Sequence, residues 1–179
     1  MQPADVKKSP VRGERPPRRT KTPEGAYAAR TRLGARAEKS ESDARRLMRG
    51  WGLAESDAQR VLARLVSDRF IDDARYAGAF VREKFRLSGW GEYKIRAALQ
   101  RKGIARERID AALAEADRGD TAGRLRRQLE RKARTVRHAT PCELKAKLVR
   151  YGLSLGYEYE AVLDAASEMT KNTEPCDDF

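Results

Sequence analysis

Asp72 and Asp73 are the adjacent pair with the most evident chemical capacity, since neighbouring carboxylates can hold a metal or exchange protons. They stand, however, where the helical pattern Ala77, Phe80, Val81 and Lys84 begins. There, acidic side chains accept the free N–H groups of a first turn and complement the helix dipole. The capping role is therefore expected, with Arg75 bridging back to an acid and Tyr76 packing between modules. Other chemistry is thinly supplied. His138 is the single histidine, and the chain contains no Gly-x-x-x-x-Gly-Lys-Ser/Thr phosphate loop. No Ser or Cys has a base nearby in sequence. Cys142 and Cys176 lack C-x-x-C spacing, which points to two inert thiols in a reducing compartment. No catalytic residue, metal or cofactor is expected.

Charge offers more. The 179 residues include 39 Lys and Arg against 27 Asp and Glu, a net charge of +12, so the surface field favours a polyanion or an acidic protein face. Arg82, Lys84 and Arg86, then Lys94, Arg96, Arg101 and Lys102, flank the turn Ser88-Gly89-Trp90-Gly91. A second run holds Arg124, Arg126, Arg127, Arg131, Lys132, Arg134 and Arg137 against the single acid Glu130. The first cluster, with Arg124, Arg127, Arg131 and Arg134, is the expected contact surface. Trp90 is read as a plug in the turn, with stacking on an unpaired base as the alternative.

The elements that must position these side chains come from an internal repeat. With Gly52, Gly103 and Gly152 aligned, Met48, Leu99 and Leu148 lie four positions before, and Ala44, Ile95 and Leu144 eight before. Leu53, Ile104 and Leu153 lie one after. Ser40, Gly91 and Thr140, twelve before, can each start a helix. The pattern predicts an amphipathic helix, a glycine with positive φ just past its end, and a second amphipathic helix. Downstream the third copy slips by one, as though a residue were inserted near Gly156.

A further helix leads each pair, the one around Ala26 to Lys39 being poorest in large apolar residues. No segment alternates with period two, so no strand is predicted. The expected fold is all-α: three tandem three-helix repeats at 24–69, 70–118 and 119–169, in an elongated, curved array. A basic, proline-rich disordered tail (1–23) and a flexible polar tail (170–179) flank it. The basic start has no apolar core of a signal peptide, and no stretch approaches the roughly 18 apolar residues of a membrane span. A cytoplasmic monomer is expected.

The run FIDDARYAGAFVREKFRLSGWGEYKIRAALQRKGI, Phe70 to Ile104, resembles the central signature of RecX regulatory proteins. Asp72, Asp73, Arg75, Tyr76, Gly91, Ile95, Leu99 and Gly103 carry the resemblance. It implies a non-enzymatic protein that binds RecA on single-stranded DNA, lies in the groove of that filament, and curbs its extension, ATP hydrolysis and strand exchange. It also implies weak DNA binding without sequence specificity. The alternatives are a sequence-nonspecific or architectural helix-turn-helix DNA-binding protein and an adaptor for an acidic protein. Base reading is disfavoured, because the helix after Gly52 starts with Glu55 and Asp57 and the one after Gly103 mixes Glu107 and Asp110 with its arginines.

Overall fold

The computed structural model describes residues 20–34, 38–116 and 119–171, and among them all regular structure is helical. The first unit contains α1 (Pro23–Gly34), α2 (Glu41–Gly50) and α3 (Glu55–Ser67). The second contains α4 (Asp73–Glu83), continued by a π-helical turn at Lys84–Ser88, then α5 (Glu92–Arg101) and α6 (Arg106–Glu115). The third contains α7 (Thr121–Ala133), α8 (Pro141–Ser154) and α9 (Tyr159–Thr170). The proline-rich tail up to residue 19, the segment 35–37 and residues 172–179, Cys176 among them, lie outside the described residues.

Sequence dictates several of these helix starts. Ser40, Asp72, Asp120 and Thr140 each turn a side-chain oxygen back onto a first-turn N–H. Thr140 is followed by Pro141, whose fixed φ and missing N–H suit the first helical position. Gly91 also stands at an N-cap, but has no side chain to bond.

Each unit closes around its own apolar cluster. Met48, Leu62, Leu65 and Ile71 anchor the first, Val81, Ile95, Leu99, Ile109 and Leu113 the second, and Leu125, Leu129, Leu148 and Val162 the third. The most extensive helix pairs lie within units, with the third helix of each packed on both the first and the second. Burying small apolar faces locally makes each unit thin, so the joints between units depend on a few specific contacts.

Two sequence expectations need correction. Gly152 does not end α8; it is buried inside that helix, where a Cβ would meet Val162 Cγ1 at 2.6 Å. The glycines with positive φ just past the second helix of each unit are Gly52 (75°), Gly103 (74°) and Gly156 (85°). Each forms the same C-terminal turn. The next residue's N–H bonds back to Met48 O, Leu99 O and Gly152 O, at 3.3, 3.2 and 3.3 Å. Gly152 thus occupies the Met48 and Leu99 position, and the third copy is longer by one helical turn within α8 rather than by one residue after it. In this register Ala58, Ile109 and Val162, all buried, become equivalent. Secondly, Cys142 is disulfide-bonded rather than a free thiol.

The same turns also fasten unit to unit. At the first joint, Ser42 Oγ donates to Lys102 O (2.5 Å), the Lys102 ammonium pairs with both oxygens of Asp43 (2.8 and 2.9 Å), and Glu41 N–H donates to Asp73 Oδ1 (2.8 Å). At the second, Gly91 N–H donates to Leu155 O (2.8 Å), Tyr93 N–H to Gly156 O (3.1 Å) and Lys94 Nζ to Ser154 O (3.0 Å). In both, the turn ending one unit's second helix docks on the N-terminus of the preceding unit's second helix. The first joint relies on charged side chains, and the second on backbone against backbone.

Candidate functional site

The capping role expected at Asp72 is present: its carboxylate accepts the N–H groups of Ala74 (2.8 Å) and Arg75 (3.1 Å). The Arg75 N–H is the leading cause of a pKa below the ordinary carboxylate value. Such a group stabilises the fold above the unfolded value of 3.8 and loses that contribution as pH falls through its native pKa. Asp72→Ala is therefore expected to cost about 1 kcal/mol at pH 7. In urea unfolding, that deficit should shrink toward pH 3; a deficit independent of pH would refute the cap.

Arg75 bridges back to an acid as anticipated, with Nε donating to Glu38 Oε1 at 2.6 Å and both terminal nitrogens reaching Arg69 O. Tyr76 is buried and stacks obliquely on Phe80 within the second unit's core. Ile95 and Leu99 are fully buried there, while Gly91 and Gly103 serve the two joints. These signature positions are occupied in building and joining the units.

The basic residues divide by what they touch. Lys84 and Lys94 sit over the Trp90 ring, their ammonium nitrogens 5.3 and 4.7 Å from its centroid, and Trp90 packs edge-on against Phe80. That is the plug predicted for the turn. Arg96 pairs with Glu92 and Asp110, holding α5 to α6, and Lys102 is committed to Asp43. Arg101 is exposed and lines a cleft between the first two units with Arg46 and Arg49. Arg82 is exposed but lines neither this cleft nor the one described next.

The remaining five come together. Arg86, from the π-helical turn, faces Arg124, Arg127 and Arg131 of α7 and Arg134 at its C-cap across a cleft of about 450 Å³ at the second joint. Positions 124, 127, 131 and 134 follow the three-and-four spacing that aligns side chains along one helix face. The opposite wall owes its shape to the π turn, a rare local widening of the helix that tends to occur at functional sites. Phe85, buried beneath the turn, lies under the Arg124 guanidinium at 5.6 Å. Gly89, in left-handed conformation, brings the backbone so close to Gln128 that a Cβ would collide with that side chain. The buried Tyr157 hydroxyl donates to Gly89 O at 3.2 Å, and burial holds its pKa above the ordinary phenol value.

Within the cleft, Arg127 makes only a long contact to Asp120 (3.4 Å) between two exposed side chains, and Glu130 is engaged by Arg126 (3.2 Å). Arg86, Arg131 and Arg134 make no ion pair with any described residue. Leu87, 83% exposed, is the one large apolar side chain in the lining.

Sequence reasoning missed Leu87, Gly89 and Gln128 as parts of this cleft, and missed Arg46 and Arg49 in the other. The three-and-four arginine spacing was visible; the π turn that faces it was not. Among the described residues no helix is long and apolar enough to cross a membrane, and no cluster of His, Cys, Asp and Glu could hold a metal.

Fold and site together define a class: a tandem array of three-helix units that presents arginine-rich clefts at its joints. The family description "RecX, second three-helix domain" matches residues 72–113. Regulatory protein RecX of a Mycobacterium species (strain KMS) is 30% identical over 146 residues, covering 79% of each chain. That of Cronobacter sakazakii is 36% identical over 106 residues, 59% of this chain and 62% of that one. Against this and the Clostridium botulinum relatives, the match spans only 61–62% of their length. A solved regulatory protein RecX superposes with a TM-score of 0.72 at 23% identity, covering 84% of this chain and 73% of that one. RecX from Lactobacillus salivarius superposes with 0.69 at 19%, covering 84% and 97%. The chain belongs to the RecX family of regulatory proteins.

Proposed function

We propose that this chain binds the filament that RecA forms on single-stranded DNA and curbs its extension, ATP hydrolysis and strand exchange. It acts as a cytoplasmic monomer, by binding alone and without catalysis or a cofactor. The observation that carries this reading is the cleft at the second joint, joined to membership of a regulatory family. Five arginines from two units converge there, and three have no partner among the described residues. A surface of this kind suits a highly charged assembly, and it is built across a joint, so it fits an extended partner better than a small ligand. The third helices carry acids in place of base-reading side chains, with Asp110 of α6 paired to Arg96 and Arg106, which suits contacts indifferent to sequence.

The test is RecA's single-strand-dependent ATPase. Inhibition is expected at less than one chain per RecA, and no effect at severalfold molar excess would reject the reading. Arg86→Glu with Arg131→Glu should weaken inhibition by about tenfold or more, with helicity unchanged by circular dichroism. Reversing Lys84 is a poor substitute, because Lys84 also lies over Phe80 and Trp90, so its loss would disturb packing.

A further inference from the structure

We infer that the cleft between the π-helical turn and α7 grips the sugar–phosphate backbone of a single nucleic-acid strand. The inference deepens the filament reading, on which it rests for the identity of the strand, by assigning this surface to the filament's nucleic acid rather than to its protein.

Three observations favour a phosphate ladder over an acidic protein segment. The first is spacing. From Arg124 to Arg134 the arginine row runs about 15 Å along α7 and its C-cap. Phosphates on one strand recur at roughly 3.4 Å along a stacked helix and more widely when extended, so the row can serve a few consecutive phosphates. Arg86 across the cleft adds a guanidinium from the opposite side, which encloses a backbone instead of merely attracting it.

The second is the chemistry of the lining. Its charge is guanidinium throughout, apart from Glu130, which Arg126 already engages. Planar forks bind the oxygens of phosphate in pairs. The third is the scarcity of apolar anchors. A peptide gains hold by adding to a strand edge or by seating apolar anchors at helical spacing in an apolar groove. The elements here are helical, and Leu87 is the single large apolar side chain in the lining. That leaves a strand held by its phosphates, independent of sequence, as the occupant with matching chemistry.

The closing experiment measures fluorescence anisotropy of the full chain with a dye-labelled oligothymidylate, without RecA, across a salt series. For the wild-type chain, log affinity should fall linearly with log salt. Arg131→Ala with Arg134→Ala should weaken binding by about tenfold at low salt and flatten the slope by roughly 1.4, about 0.7 for each single-strand phosphate that is no longer neutralised. Arg131→Lys with Arg134→Lys should restore the slope, which a folding defect could not do.

Unchanged affinity and slope in the alanine pair would overturn the inference, and loss of ATPase inhibition by that same pair would then place an acidic protein segment in the cleft. Loss of oligonucleotide binding with ATPase inhibition intact would uphold the inference and remove the cleft from the filament reading. Loss of both upholds both.

Discussion

Replacing Gly156 with valine is expected to lower the unfolding free energy by about 3 kcal/mol and to release the third unit from the second. Two costs combine. Gly156 has φ 85°, a left-handed conformation that a β-branched residue adopts only under strain, and its missing Cβ is the space occupied by the backbone and Cβ of Lys94. Moving apart to relieve the collision breaks the bonds of Tyr93 N–H to Gly156 O and Gly91 N–H to Leu155 O. Gly91 cannot yield, since a Cβ there would strike Gly156 in turn.

Gly103 supplies the control. Its φ is nearly the same, 74°, but the nearest atom to an added Cβ is Ser42 Cβ at 3.9 Å, an ordinary approach. Gly103→Ala should therefore cost only the backbone strain, about 1 kcal/mol, and Gly156→Ala clearly more. Urea unfolding followed by tryptophan emission would compare them, Trp90 lying beside the second joint and Trp51 in the first unit. Equal destabilisation would mean that the close approach at Gly156 does not hold the joint.

Asp73→Ala should cost about 2 kcal/mol, roughly the penalty for leaving one part-buried N–H unbonded. Asp73 is only 6% exposed, and its carboxylate caps Glu41 of α2 in the preceding unit while lying 3.6 Å from Arg108. Burial nevertheless pushes its pKa above the ordinary 3.8, outweighing both the Glu41 N–H and the Arg108 charge. The sign is thus opposite to that of Asp72. The native state holds this proton more tightly than the unfolded state, so the contribution is full below 3.8 and declines as pH rises through the native pKa.

Asp73→Asn keeps an oxygen for the Glu41 N–H and removes the buried charge. It should match the wild-type chain within about 0.5 kcal/mol at pH 7, where alanine does not. Urea unfolding of both variants at pH 7 and pH 4 tests this. If asparagine proves as damaging as alanine, the ion pair with Arg108, rather than the cap, holds the first joint.

The repeat shows how far pattern reaches. Apolar spacing and cap residues were enough to place α2, α5 and the start of α8, because a helix's buried stripe and its first turn are local properties. The end of α8 was misplaced because a glycine is ambiguous in sequence. Gly152 is chosen for its small size beneath Val162, Gly156 for its backbone, and only three-dimensional packing separates these reasons.

The charged residues divide in the same way. Their number and the three-and-four spacing on α7 were set by the chain itself, as were the capping Asp72 and the Trp90 plug. Which cations are committed was decided by folding. Lys94 reaches Ser154 O sixty residues away, Lys102 reaches Asp43, and Arg96 reaches Asp110, so all three are engaged within the chain. Arg86 was brought to α7 by a π turn with no local signature. The cleft is therefore a property of the joint. A sequence determines the charge on each helix face, but whether two such faces meet depends on packing between units far apart along the chain.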